Sequence, residues 1–351
     1  MAEIAGIEIY TDTSEHVDLI LRILDISADV WRCTIRRFAE TWHSGCRDLY
    51  ERASALEKAY QACSPYAVQA ASRVPSVCSV CLGRTIFPAY ARLIKGQTAA
   101  LEYGCCNACG HGQLLSQPAA LPTYYGPDYY RCRRPDGSGY QAYEAEREYR
   151  EARATRLLKW IWQSTGICSG RLLEVGSGLG FTRHAAERLG FTTEGVDINH
   201  YAAERARVLY GIDTFTGTLA EARQANAVLP GCDVVLYQFV LEHLENPEGE
   251  LLEVADVLKP GGLLALTIPS MDALELKVFG GSYRSFRSDH RHVFSRRSIR
   301  RLLQNVGFDI VRERSECSSH LLAGFYSSSE LEILYDSGLG PDLHIVARKV
   351  S

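Results

Sequence analysis

From Arg171 onward the chain alternates short apolar runs with amphipathic stretches. RLLEVG, TTEGVDI, DTFTGT, CDVVLYQF and GLLALTIP each have the length and composition of a strand. Segments such as FTRHAAERLG and HYAAERARVLYG carry apolar residues at helical spacing between them. This alternation predicts an α/β domain, a mostly parallel sheet with helices on both faces. FDIVRERS and DLHIVARKV follow without a helical crossover pattern between them; they are expected to pair antiparallel at the edge and complete seven strands. Upstream the period is helical: Val17, Ile20, Leu21 and Leu24 follow Ser14, a candidate N-cap, and Trp31, Ile35, Phe38 and Trp42 form a second stripe. Leu49, Leu56 and Tyr60 extend it, giving a helical region over residues 1–73 that ends in a linker carrying Pro65 and Pro75.

The cysteines mark off a further segment. Cys78-Ser-Val-Cys81 and Cys106-Asn-Ala-Cys109 are two CxxC pairs with 24 residues between them, and Cys105 adjoins the second. Each pair presents two thiolates from one tight knuckle, and two knuckles complete the tetrahedral site that zinc prefers. With four protein ligands the site is expected to be structural, folding a small zinc ribbon over residues 74–113; a four-thiolate iron–sulfur cluster is the competing occupant. The other seven of the twelve cysteines are scattered singly, as thiols of a reducing compartment are. Residues 114–163 then hold a tyrosine-rich loop or lid, LPTYYGPDYYRCRRPDGSGY, and a helix over 141–163 running into Trp160 and Trp162. Residues 164–351 form the α/β domain.

Net charge is only −4, which gives no reason to expect a nucleic-acid or anionic-membrane partner. The N-terminal MAEIAGIEIYTDTSEH lacks the basic and apolar regions of a secretory signal, and no apolar run is long enough to span a bilayer, so a cytoplasmic protein is expected.

The most informative stretch is LLEVGSGLG, residues 172–180, at the carboxyl end of the first strand. A dinucleotide turn needs GxGxxG, with a helix N-terminus facing a diphosphate. Here the glycines fall at Gly176, Gly178 and Gly180, and Glu174 precedes them. A carboxylate repels a diphosphate but attracts an ammonium, which points away from NAD and toward S-adenosylmethionine. Asp197 ends the second strand, where a carboxylate accepts both hydroxyls of a ribose.

On LLEVGSGLG, EGVDIN, TGTLAE, CDVVLYQFVLEHLENP, LKPGGLLALTIPS and LLQNVGFDIV in that order, residues 145–350 resemble the class I S-adenosylmethionine-dependent methyltransferases, whose fold is Rossmann-like. The resemblance implies Glu174, Gly176, Gly178 and Gly180 around the methionine end of the cofactor, and Asp197 with Ile198 at the ribose. It implies Thr218 and Leu219 near adenine, and Gln238 with Phe239 at the end of the fourth strand. A CxxC ribbon ahead of such a domain is similar to a subgroup of bacterial small-molecule methyltransferases that includes sugar C-methyltransferases of antibiotic pathways.

Methyl transfer is an in-line displacement, and a base is needed only where the acceptor must lose a proton. His290 and His292, in SDHRHVFSRRS, and His243, in VLEHL, are the candidates. Arg284, Arg287 and Arg291 in the same loop suit an anionic acceptor or a solvated face, and Tyr124, Tyr125, Tyr129, Tyr130 and Tyr283 suit a roof or simple packing. The reading is a methyltransferase acting on a small molecule, with its helical region shaping the acceptor site or a homodimer interface. Docking on nucleic acid or protein through the ribbon is the alternative, and it conflicts with a ribbon whose basic residues are only Arg84, Arg92 and Lys95. A cofactor-binding scaffold without catalysis is the other.

Overall fold

The computed structural model describes residues 2–4, 7–9, 76–81, 85–93, 100–116, 125–134, 139–316, 335–336 and 338–350. The helical stripes expected between residues 17 and 60 lie outside them. The chain divides into two compact units: Met1–Gln117, Pro269–Ile299 and Arg314–Leu343 form one, and Pro118–Ile268, Arg300–Glu313 and His344–Ser351 the other. Strands β1 (Ala2–Ile4) and β2 (Ile7–Ile9) make a separate antiparallel pair.

The second unit is built on a seven-stranded sheet. Its strands are β7 (Gly170–Val175), β8 (Phe191–Asp197), β9 (Phe215–Thr216), β10 (Cys232–Gln238), β11 (Leu258–Pro269), β13 (Phe308–Glu316) and β14 (Asp342–Lys349). Their order is β13-β14-β11-β10-β7-β8-β9, and the run from β11 to β9 is parallel throughout. Helices α1 (Arg147–Thr165), α2 (Phe181–Arg188), α3 (His200–Tyr210), α4 (Leu219–Gln224) and α5 (Pro247–Val257) come before or between the parallel strands.

Residue parity explains the layering. Leu172, Val234, Leu236, Leu263 and Ala265 share one face of the sheet and pack against Ala154, Leu157, Leu158 and Ile161 of α1 and Ala185 and Ala186 of α2. The opposite parity, Leu173, Val235, Tyr237, Leu264 and Leu266, is equally buried, so both faces are covered, as a parallel sheet requires. Helix α1 covers the expected 141–163 segment but starts at Arg147. It stops at Gly166, a left-handed C-cap with φ +78°.

The first unit carries a five-stranded antiparallel sheet of β3 (Ser76–Val77), β4 (Thr85–Leu93), β5 (Ala100–Cys106), β6 (Gly112–Leu114) and β12 (His292–Val293), in the order β12-β6-β5-β4-β3. Residues 269–299, which the strand–helix pattern assigns to the α/β domain, cluster with this sheet. The cause is apolar burial: Met271, Ala273, Leu276, Tyr283, Phe286 and Val293 share one core with Tyr90, Leu101, Tyr103 and Leu114. Helix α6 (Leu274–Phe279) lies within that segment, and α7 (Arg296–Asn305) begins at its end.

Candidate functional site

The glycine turn links β7 to α2. Gly176, Gly178 and Gly180 have φ of +72°, +52° and +83°, a region that side chains with a Cβ resist. A Cβ at Gly176 would strike Val240, and one at Gly180 would meet Ile212 and Ala206. At Gly178 the atom nearest to an added Cβ would be the Tyr130 hydroxyl, at 3.5 Å, so that side of the Cα faces the tyrosine-rich segment and not the core. The backbone amide of Gly178 donates to Asp197 Oδ2 at 2.7 Å, and that of Asn199 donates to Asp197 Oδ1 at 2.8 Å. Two amide donors hold the carboxylate at the end of β8. Burial nonetheless raises its pKa, with those hydrogen bonds opposing. Asn199 also caps α3 by accepting from Ala202.

Glu174 lies at the end of β7 and is only 2% exposed. Its Oε1 accepts from Gln238 Nε2 at 2.9 Å, and the same amide nitrogen donates to Thr182 Oγ1 at 2.7 Å. Its Oε2 is buried with no hydrogen-bond partner among the described residues, and so is the hydroxyl of Ser177 in the turn. Burial pushes the Glu174 carboxyl up to about 7, against the pull of Gln238, Arg183 and Thr182. An unpaired buried carboxylate oxygen is costly, and a cation brought to it would remove the cost. Arg183 does not serve: its guanidinium donates to Thr193, Thr214 and the carbonyl of Asp213, and it lies so close over Gly195 that a Cβ there would sit 2.5 Å from Nη1.

The lid is aromatic. A 3-10 helix at Pro127–Tyr130 places Tyr129 and Tyr130 edge to face, and Tyr143 contacts both Tyr130 (5.1 Å) and Phe181 of α2 (5.4 Å). Arg150 stands 3.7 Å over the Tyr143 ring, a cation–π contact that fixes the lid to α1. Burial and the Asp197 carboxylate keep the Tyr130 hydroxyl protonated. A cavity of about 410 Å³, within the ~300–1,000 Å³ range of small-molecule pockets, is bordered by Tyr130, Leu179, Tyr201, Arg205 and Glu144.

Other expected positions are placed as follows. Ile198 is 47% exposed beside buried Asp197. The Thr218 hydroxyl closes a capping box with Glu221 at the start of α4, a role its position as N-cap explains, and Leu219 is buried. Phe239 follows β10 in a left-handed conformation, φ +56°, held by its amide donating to Thr267. His243 shares a 2.9 Å hydrogen bond through Nδ1 with the Tyr125 hydroxyl. Tyr124 lies outside the described residues.

In the other unit, His292 Nδ1 is 3.1 Å from His111 Nε2, and His290 Nδ1 is 2.9 Å from the carbonyl oxygen of Ser285. Arg284 pairs with Glu275 and Asp342, and Arg287 with Asp289, so carboxylates of this chain already meet two of the three charges offered for an anionic acceptor. Tyr283 is core, its hydroxyl donating to the carbonyls of Ser270 and Pro341. Cys78, Cys81, Cys106 and Cys109 are all buried, and their sulfurs lie within 4.8 Å of one another. The closest pairs are Cys78–Cys109 at 3.6 Å and Cys81–Cys106 at 3.4 Å. Sequence reading missed Ser177, Thr182, Asn199 and Tyr143; the period-3.6 position of Thr182 behind the turn was the available signal for one of them.

Residues 142–313 match the family model described as a methyltransferase domain. The ubiquinone biosynthesis O-methyltransferase of Cupriavidus pinatubonensis is 25% identical over 189 residues, 51% of this chain and 76% of that protein. The enzyme of the same name from Azoarcus sp. is 34% identical over 109 residues, 30% of this chain and 46% of that one. The chain spans about half the length of most of these curated relatives. Among solved structures, a methyltransferase of Thermotoga maritima described as a possible histamine N-methyltransferase is 20% identical, with a TM-score of 0.43, covering 58% of this chain and 91% of that one. No helix among the described residues is long and apolar enough to cross a membrane.

Proposed function

Through residues 142–313 the chain belongs to the class I S-adenosylmethionine-dependent methyltransferases, and from that premise we propose that it methylates a small-molecule acceptor in a biosynthetic pathway. The observation that carries the reading is the partnerless, buried Oε2 of Glu174 beside the glycine turn. This is the environment an ammonium group completes and a diphosphate would not tolerate. Glu174 and the 176–180 backbone would hold the methionine end and Asp197 the ribose hydroxyls. Exposed Ile198, next to Asp197, would lie beside the ribose, with Thr218 and Leu219 near adenine. S-adenosylmethionine supplies a methyl carbon already activated by its sulfonium, so the chain's own task is to orient the acceptor and exclude water.

Where the acceptor must lose a proton, His290 is the proposed base. A carbonyl can only accept, so its contact with Ser285 leaves the hydrogen on Nδ1 and the lone pair of the neutral ring on Nε2. His292 and His243 are the other candidates, and each shares a hydrogen bond with another side chain at its Nδ1. The relatives named as O-methyltransferases make a hydroxyl the first acceptor class to test.

The four cysteines would hold zinc. A tetrahedral ion with Zn–S near 2.3 Å needs sulfurs roughly 3.8 Å apart, close to the separations found.

Calorimetric titration of the purified protein with S-adenosylmethionine tests the reading. Binding is expected, with none for NAD. Tighter binding of NAD, or no binding of S-adenosylmethionine, refutes it.

A further inference from the structure

Strand β10 gives way to a residue in a conformation that its side chain resists. Phe239 has φ +56°, in the left-handed region, where a bulky residue is an outlier and glycine sits at little cost. It is one of two such non-glycine residues among those described, and the other, Asn226, is of a type that tolerates the region. Strain of this kind persists only where the surroundings enforce it. Here the Phe239 amide donates to the Thr267 carbonyl at 2.8 Å, one step past the last paired residue of β10, and the chain turns from that point.

The register of the sheet shows what the turn accomplishes. Tyr237 pairs with Val175, so a β10 that ran on straight would bring Gln238 level with Gly176 and Val240 level with Gly178. Val240 instead occupies the space that a Cβ on Gly176 would need, two positions short. The chain has folded back, and the residues on either side of Phe239 both meet the β7–α2 connection. Gln238 Nε2 donates to Glu174 Oε1 at 2.9 Å and to Thr182 Oγ1 at 2.7 Å, which decides that Oε2 is the oxygen left for an ammonium group. The Phe239 ring has a separate contact, with the guanidinium carbon of Arg153 on α1 at 5.3 Å from its centroid.

We infer that Phe239 is a positioning residue that serves the pocket through its backbone and not its ring: the left-handed turn holds Gln238 on Glu174 and seats Val240 in the space left by Gly176. This rests on the reading of that pocket as the seat of the cofactor's methionine end. It differs from direct contact of the ring with the cofactor, which the family position implies.

The test is hydrogen exchange at the Gln238 side-chain amide, followed by ¹⁵N NMR on the full-length protein without added cofactor and assigned through Q238M. In the parent this amide should exchange at least about tenfold slower than an exposed glutamine, the worth of one hydrogen bond; exchange at the exposed rate overturns the inference. F239G deletes the ring and keeps free access to positive φ, so protection should persist. Its loss would show that the ring holds Gln238, and the inference falls. F239V keeps apolar bulk but, being β-branched, opposes the turn, and exchange should quicken by about tenfold; an unchanged rate is equally fatal. Should F239V not fold, the melting temperatures of F239A and F239G decide. Alanine ordinarily stabilises relative to glycine, and at a left-handed position the order inverts. F239G melting above F239A supports the inference, and the ordinary order overturns it. None of these readouts uses cofactor or acceptor. Failure here would leave methyl transfer standing, and that reading falls only with the cofactor titration.

Discussion

Binding a cation at Glu174 should release a proton. The carboxyl sits at about 7 instead of its ordinary 4.5 because it is buried, and Gln238, Arg183 and Thr182 offset only part of that cost. That difference makes the ionised form roughly 3 kcal/mol more costly in the folded protein than in the unfolded chain. The sign follows from proton counting: between pH 4.5 and 7 the folded state holds the proton that the unfolded chain has lost. Stability of the ligand-free protein from this group therefore falls as pH rises through that window and is level above it. An ammonium ligand needs the ionised carboxylate, so at pH 6 binding should expel close to one proton and weaken about tenfold per pH unit below 7. Calorimetry of S-adenosylmethionine binding at pH 6, in buffers of differing ionisation enthalpy, counts that proton. E174Q keeps a carbonyl for Gln238 to bond. It should bind more weakly at pH 8, lose the acid-side slope, and be more stable than the parent without ligand. No proton release at pH 6, or a slope that persists in E174Q, refutes the argument.

Two further outcomes are expected. D197A removes the acceptor for the Gly178 and Asn199 amides as well as the ribose partner, so cofactor affinity should drop by about 1.5–3 kcal/mol in the same calorimeter; an unchanged affinity would show the ribose is held elsewhere. Purified protein should contain about one zinc per chain, and chelation should lower its melting temperature. A protein that is metal-free and equally stable contradicts the four-cysteine site.

The α/β sheet was legible in the sequence because a strand buried on both faces must be apolar at nearly every position, as CDVVLYQ and LLALTI are. The glycine turn was legible because positive φ demands glycine. Other parts left no local trace. Strand β12 is two residues long, too short for any periodicity, and its partner β6 lies about 180 residues earlier. The tyrosine-rich segment was legible as loop or lid, but not the contacts of Arg150 and Phe181 that gather its rings. The arginines of the 284–291 loop suggested an anion site only because the carboxylates that pair with two of them include Glu275 and Asp342, which sequence distance hides. Thr218, a family position for adenine, also caps the helix that begins beside it, a role its sequence position did not single out.

The interleaving of the two units constrains how the chain is made. It passes between them at 117/118, 268/269, 299/300, 313/314 and 343/344, five times in all. On the ribosome the cysteine-bearing sheet emerges early, but β6 keeps a bare edge until His292 and Val293 are synthesised and pair with it. The small sheet therefore finishes after most of the large one, and a fragment cut at residue 117 would carry an open strand edge prone to self-association in place of a separable module.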